Sequence, residues 1–314
     1  MFYLKTCSIF FSLTFLLLNC QKDKTPPVQY KTENIVVIVV DGPRYSETWG
    51  EPNQEFIPHM KSDMAQEGVV FTNFKNKGPT YTNAGHTAVL SGHYQTINNG
   101  GAEIPKRPNI LQYWLRESGA AQNKAWLIGS KDKIEPLSNC QDVAWADRFL
   151  PVTDCGMNGL GTGYRTDSIT VLHVLDSMEK YEPNLVFINL RQPDFNAHMG
   201  NWDGYISAIQ QVDEDYYTIW QYLKNSPNYQ NKTALFITND HGRHLDSFGG
   251  FSGHGDACEG CQHINLYAYG PDFKSNEINA NAYEQIDIPT TIAELLNLKM
   301  PTSDGRIIKD LFQE

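Results

Sequence analysis

Basic residues are in short supply: 25 Lys and Arg stand against 36 Asp and Glu, a formal net charge of −11 at pH 7. With a pI near 5.3, the chain offers no basic stripe to neutralise a phosphate backbone, which argues against a nucleic-acid partner. Long apolar runs are missing too. The apolar stretch near the amino terminus, residues 9–18, is too short for a comfortable membrane span. No internal repeat or low-complexity tract occurs, so the chain does not read as a repeat array. What is present is core material: 40% hydrophobic and 12% aromatic residues over 314 positions, enough for a large α/β domain and unlike a disordered protein.

Lys5 precedes that short apolar stretch, and Leu17-Leu18-Asn19-Cys20 follows it. This resembles a bacterial lipoprotein signal peptide. The resemblance implies cleavage before Cys20, lipidation of that cysteine, and an exported protein in the periplasm or on the cell surface, touching the membrane only through its lipid. Asn19 departs from the small residue usual before the lipidated cysteine, so a plain secretory signal with another cut site is the alternative. The expected organisation is a signal peptide over residues 1–19, a polar tether over 20–33 and a single catalytic domain over 34–314.

Cysteine is sparse, with six in all. Once Cys7 is removed and Cys20 lipidated, Cys140, Cys155, Cys258 and Cys261 remain, an even number in an exported chain. Two local disulfides are expected, 140–155 and 258–261. The rival reading of Cys258-Glu-Gly-Cys261 is half of a zinc knuckle or a redox pair. There is no second Cys-x-x-Cys to complete four ligands, and no thioredoxin context, so the disulfide is favoured.

Three buried-strand patterns carry the main signal. Residues 34–40 run Asn-Ile-Val-Val-Ile-Val-Val into Asp41-Gly42, residues 184–190 lead to Pro193-Asp194 with His198 four positions on, and residues 233–239 break into Asp240-His241-Gly242. Strands buried on both faces belong to parallel sheets, whose ligand crevice lies outside their carboxyl ends. Three aspartates at three such ends are therefore expected to converge.

Between them lies an α/β alternation. A helix is predicted over residues 58–68 and a strand at 69–71, then a short helix from Thr82 or Asn83, capped by one of them. Residues 109–118 and 125–129 read as the next helix and strand. Residues 130–164 are rich in turns and read as a surface excursion. Ile169, Leu172, Leu175 and Met178 mark an amphipathic helix, and Ile206, Ile209, Val212, Tyr216, Ile219 and Leu223 a second, whose Asp213-Glu214-Asp215 cluster reads as a solvated face. Residues 264–268 and 289–296 close the pattern as a strand and a helix.

Asp41, Thr82, Asp194, His198, Asp240, His241 and His254 together suggest a two-metal site, because carboxylate oxygen and imidazole nitrogen suit borderline dications such as zinc. His254 is preferred to His263, which directly precedes an apolar strand, whereas His254 lies in a glycine-rich loop. His86 reads as a packing residue beneath the short helix.

In order along the chain, Asp41-Gly42, Pro79-Thr-Tyr-Thr82 with His86 and Ser91-Gly92, Pro193-Asp194 with His198, Asp240-His241-Gly242, Gly253-His254-Gly255 and residues 289–296 resemble the motifs of the alkaline phosphatase superfamily. The similarity is to its threonine-nucleophile branch, which includes nucleotide pyrophosphatase/phosphodiesterases and some bacterial alkaline phosphatases. It implies a three-layer α/β/α sandwich around a mostly parallel sheet. It also implies two divalent metal ions, zinc foremost, one held by Asp194, His198 and His254 and the other by Asp41, Asp240, His241 and the Thr82 oxygen. By the same resemblance Thr82 is the nucleophile, and Lys131, Lys133 and Asn99 (or its neighbour Asn98) bind the phosphoryl group. Lys133 stands where the family's Lys-x-Arg element has arginine, which replaces a bidentate fork by a point charge.

The activity implied is hydrolysis of a small phosphate ester, monoesters favoured, with a phosphodiesterase or nucleotide pyrophosphatase as the alternative. A sulfatase is disfavoured because Thr82 cannot become a formylglycine. A binding lipoprotein that keeps the fold without catalysis would be expected to have lost a ligand, and none is evidently lost.

Overall fold

The computed structural model describes residues 1, 2 and 29–313, so most of the expected signal peptide, Cys20 and most of the tether lie outside the described residues. Among those described, no helix is long and apolar enough to cross a membrane. The chain is held from Tyr30 onward: Thr32 donates from its backbone and hydroxyl to Asp272, and Tyr30 donates to Glu294.

In chain order the elements are β1 (Asn34–Val40), β2 (Val69–Lys75), α1 (Thr82–Ser91), α2 (Ile110–Ser118), β3 (Ala125–Gly129), β4 (Val152–Cys155) and α3 (Asp167–Tyr181). There follow β5 (Leu185–Leu190), α4 (Gln192–His198), α5 (Trp202–Asn225), β6 (Thr233–Asn239), α6 (Glu259–Gln262), β7 (His263–Tyr269), β8 (Glu277–Asn279), β9 (Tyr283–Glu284) and α7 (Asp287–Leu295). The strands form one sheet in the order β4-β3-β5-β1-β6-β7-β2-β8, with β9 beside β2. From β4 to β6 every pairing is parallel, and β7 alone runs against its neighbours. The expected mostly parallel sheet is present.

β1 shows why the sheet is covered on both faces. Ile35, Val37 and Val39 pack with residues of α1, α2 and α7, while Val36, Ile38 and Val40 pack with residues of α3 and α5. A strand alternates its side chains, so continuous burial of all seven residues requires a layer on each side. The three-layer α/β/α sandwich follows. At burial of roughly 1.5–3 kcal/mol per large apolar side chain, this central strand is an expensive place for any polar substitution.

Several sequence expectations are corrected. Residues 130–164 are not a surface excursion: Ile134, Leu137, Cys140 and Trp145 are buried in the core, and residues 152–155 supply the sheet's edge strand β4. Turn-forming residues there mask short segments whose apolar side chains point inward. Helix α3 buries Thr170, Val171, Val174 and Met178 and exposes Ile169 and Leu172, because its inner face is rotated from the most hydrophobic stripe. Asp213 and Asp215 are buried; Asp213 accepts from the backbone N–H of His59 (2.7 Å) and Met60 (2.9 Å), capping the turn that begins there. The cap of α1 is Tyr81, with Thr82 and Asn83 inside the first turn.

The disulfides expected at 140–155 and 258–261 are absent, and all four cysteines are free thiols. Cys140 and Cys155 serve instead as small core side chains, Cys155 Sγ lying 3.6 Å from the carbonyl of Leu127.

Candidate metal centre

The carboxyl ends of the central parallel strands bring the candidate residues together. Asp41 follows β1, Asp240 follows β6, and Asp194 lies in the first turn of α4 after β5. Adjacent strands place these ends side by side: the Asp194 N–H donates to the Asp41 carbonyl (3.1 Å) and the Asp240 N–H to that of Val40 (3.3 Å). All three are essentially buried. Gly42 is required here, since it has φ +71° and a Cβ at this position would meet the Arg243 guanidinium at 2.7 Å.

His241 Nδ1 donates to the carbonyl of Gly242 (2.8 Å), which leaves Nε2 as a lone pair facing Asp41 Oδ1 and Asp240 Oδ2, each at 3.5 Å. His254 is set up in the same way: Nδ1 donates to the carbonyl of Thr80 (2.8 Å), and Nε2 lies 3.0 Å from His198 Nε2 and 3.6 Å from Asp194 Oδ1. His198 Nε2 is 3.2 Å from the same carboxylate oxygen. Burial pushes His241 well below its usual range and His254 downward, which favours the neutral imidazole, the form in which a ring nitrogen ligates.

A cation fits this set. Asp41 Oδ1, Asp240 Oδ2 and His241 Nε2 are buried without a hydrogen-bond partner, and leaving such atoms unsatisfied costs about 1–3 kcal/mol each. Donor atoms of Asp41, Asp240 and His241 lie within 4.8 Å of one another, as do those of Asp194, His241 and His254. Burial and the neighbouring Asp41 charge push Asp240 up to about 7.

The Lys131 ammonium provides a stand-in for such a charge. It lies 2.6 Å from Asp41 Oδ2, 2.7 Å from Asp194 Oδ2 and 3.4 Å from Thr82 Oγ1. Burial alone would lower its pKa, but the two carboxylates raise it, and Asp194 is in turn held well below the ordinary carboxylate range against its own burial. Lys133 is buried beside it, and burial with the Lys131 charge lowers its pKa.

Thr82 is the first residue of α1, whose cap makes no side-chain hydrogen bond. Asn99 reaches that end of the helix, its Oδ1 accepting from the Asn83 N–H (3.0 Å), whereas Asn98 turns its side chain to the Gly100 N–H. His86 packs beneath Thr82: Nδ1 donates to the Thr82 carbonyl (2.8 Å) and Nε2 accepts from Asn189 (2.9 Å). His263 points away, with Nε2 on the Thr72 carbonyl. The half-exposed His198 and Tyr81, 40% exposed, mark the open side of the centre. A depression of about 750 Å³ lies elsewhere, between α2 and the chain after α7.

Sequence reasoning missed Arg243, whose fully buried guanidinium donates to Asp194 Oδ1 and to the carbonyls of Phe251 and Ser252. It also missed Asn189, which accepts from the Lys131 N–H (3.1 Å), and Gln285, which donates to the Asp240 carbonyl (2.6 Å). Only Arg243 left a signal, as a cation directly after Asp-His-Gly.

Residues 162–300 match the model of the metalloenzyme superfamily, a span that holds Asp194, His198, Asp240, His241 and His254. In fold the chain is similar to a protein in the alkaline phosphatase superfamily from Vibrio parahaemolyticus, with a TM-score of 0.67 and 15% identity over 91% of this chain and 72% of that one. It is similar also to a phosphonate monoester hydrolase from Silicibacter pomeroyi, with a TM-score of 0.61 and 17% identity over 88% and 76% of the two chains. Murine ectonucleotide pyrophosphatase/phosphodiesterase 5, in an inactive form in complex with AMP, is similar with a TM-score of 0.65 and 16% identity over 90% and 100%. The chain thus has the fold of the alkaline phosphatase superfamily, and through residues 162–300 it carries the sequence match to the metalloenzyme superfamily.

Proposed function

We propose that this protein is a metal-dependent hydrolase of small phosphate esters, monoesters favoured, with Thr82 as nucleophile. One observation carries the reading: a buried cation, the Lys131 ammonium, is shared by Asp41 and Asp194 at hydrogen-bond distance and lies 3.4 Å from the Thr82 hydroxyl. A site that gathers positive charge against a threonine oxygen has the means to make that oxygen nucleophilic.

Asp194, His198 and His254 would hold one divalent ion, and Asp41, Asp240, His241 and Thr82 Oγ1 the other, with zinc the leading choice for this oxygen and nitrogen donor set. When bound, such ions supply the positive charge that favours an alkoxide over a hydroxyl and offsets charge on the leaving oxygen. Thr82 Oγ1, its proton lost to solvent, attacks phosphorus as the bond to the ester oxygen breaks and the alcohol leaves with a proton from water; water then cleaves the phosphothreonine to inorganic phosphate and the free Thr82 hydroxyl. His86 fixes the Thr82 backbone, and Asn99 holds the first turn of α1, so the hydroxyl is presented at one position. Lys131 and Lys133 provide charge for a dianionic phosphoryl group, which favours monoesters over monoanionic diesters.

Hydrolysis of an aryl phosphate, a bis-aryl phosphate and an aryl sulfate by the zinc-loaded protein assigns the reaction. The expected order is phosphate monoester, then diester, then sulfate. Thr82→Ala is expected to lower the first rate by roughly 10³-fold or more. Equal rates for wild type and variant would remove Thr82 as nucleophile. A rate near background for all three substrates would leave the fold to a binding protein.

A further inference from the structure

Beyond the centre around Thr82, a second group of ligand-type side chains converges. One donor atom from each of His244, Asp256, Cys258 and Cys261 lies within 4.8 Å of all the others. The set is not a cluster of acids: it combines two thiols, an imidazole and one carboxylate. His244 Nε2 is 3.0 Å from Asp256 Oδ2, yet that nitrogen is buried and makes no hydrogen bond. The two groups are close without being aligned on each other. The second Asp256 oxygen accepts from the Cys258 N–H (2.9 Å), which orients the carboxylate within the group.

Two thiolates with one imidazole are the donors of zinc and similar soft-to-borderline cations. Tetrahedral zinc has bonds of about 2.3 Å to sulfur and about 2.0–2.2 Å to nitrogen and oxygen, which places neighbouring donors on the order of 3.3–3.8 Å apart. From their mutual limit of 4.8 Å, the four atoms need to close by on the order of 1 Å to reach that spacing. Four protein donors fill the shell and leave no position for substrate, the mark of a structural site.

The placement gives the ion a task. His244 opens the loop after β6, and Asp256, Cys258 and Cys261 close it at α6, with His254 between them. The loop base is already pinned by the His244 N–H on the Gly253 carbonyl (2.9 Å). The His244 ring packs so closely that a Cβ on Gly253 would stand 2.7 Å from its Nδ1.

We propose that His244, Asp256, Cys258 and Cys261 form a separate structural cation site, zinc in preference, that staples the loop bearing His254. The site goes beyond the hydrolase reading and stands or falls apart from it, because the centre around Thr82 contains no sulfur donor.

Cobalt(II) exchange into the full-length chain, purified under reducing conditions, tests it. A thiolate-to-cobalt charge-transfer band in the near ultraviolet is expected, unchanged in Thr82→Ala and lost in Cys258→Ser and in Cys261→Ser. In zinc-loaded protein the same cysteine variants should hold about one ion fewer per chain than wild type. Cys258 and Cys261 should resist alkylation until zinc is stripped. No charge-transfer band in folded wild-type protein with free thiols would overturn the proposal. So would a 258–261 disulfide, seen as a mass lower by two hydrogens, in protein isolated from its native compartment. The wild-type spectrum decides even where a cysteine variant fails to fold.

Discussion

Arg243 donates to Asp194 Oδ1, while Lys131 holds the other oxygen of the same carboxylate at 2.7 Å. Asp194 is thus fixed by two buried cations. Arg243 does more than neutralise it, since its remaining donors reach the carbonyls of Phe251 and Ser252, three and two residues before His254. One guanidinium couples the aspartate after β5 to the loop that carries a second candidate ligand. Arg243→Met keeps bulk but leaves two carbonyls unpartnered and takes the cation from a carboxylate oxygen that then faces His198 Nε2 at 3.2 Å. A loss of about 3–5 kcal/mol is expected in denaturant titration, in line with removing one member of a buried pair. Metal content should fall most for the ion assigned to Asp194, His198 and His254. Unchanged stability would show that the loop is held by other contacts.

The coarse outline of this arrangement was legible in the sequence. Continuous apolar runs ending in Asp41, Asp194 and Asp240 implied parallel strands with acids at one end, since only doubly covered strands are apolar at every position. Interactions made across the chain were not legible. Nothing local in Asp213-Glu214-Asp215 separates Glu214, which is exposed, from Asp213, which caps a turn more than 150 residues away. Likewise Asn189 reads only as one more residue of a strand, although its amide joins Lys131 to His86. Polar residues buried by a distant partner carry no periodicity of their own.

Gly85 and the Asp240 backbone are packed in direct contact. A Cβ at Gly85 would overlap the Asp240 carbonyl, which also accepts from Asn76 and Gln285 and so is anchored from two other sides. Because backbone cannot rotate aside, Gly85→Ala must push α1 outward, and Thr82 with it. A cost of about 1–3 kcal/mol in stability is expected. The turnover rate should drop more than the Michaelis constant changes, because the nucleophile is displaced while the open side of the site is not. Measured kcat and KM for the variant check this.

Lys131→Ala removes the cation shared by Asp41 and Asp194, with effects that depend on metal. In chelator, two buried carboxylates lose their common partner, and a deficit of about 3–5 kcal/mol is expected. With saturating zinc the deficit should shrink, since the metal supplies the missing positive charge. Catalysis should respond by charge of substrate: roughly tenfold or more lost on an aryl phosphate dianion, and less on a diester monoanion. Lys133→Ala should follow the same order with a smaller stability change. Equal losses on the two substrates would remove the basis for preferring monoesters.

Asp215 provides a pH test remote from the metal centre. It is buried in α5, Oδ1 accepts from Gln211 (3.3 Å), and Oδ2 has no partner. Burial pushes its pKa from 3.8 up to about 7, with the charges of Asp167 and Glu214 adding to the shift. A raised folded-state pKa means that the native protein holds the proton more tightly than the unfolded chain. The resulting stabilisation is complete below about pH 4 and is lost as pH rises through about 7. Its full size is on the order of 2–4 kcal/mol. Asp215→Asn keeps the shape and never ionises, so the variant should match wild type near pH 4 and exceed it above pH 7. Denaturant midpoints across that range measure the difference directly, and parallel curves for the two proteins would show that Asp215 stays ionised when buried.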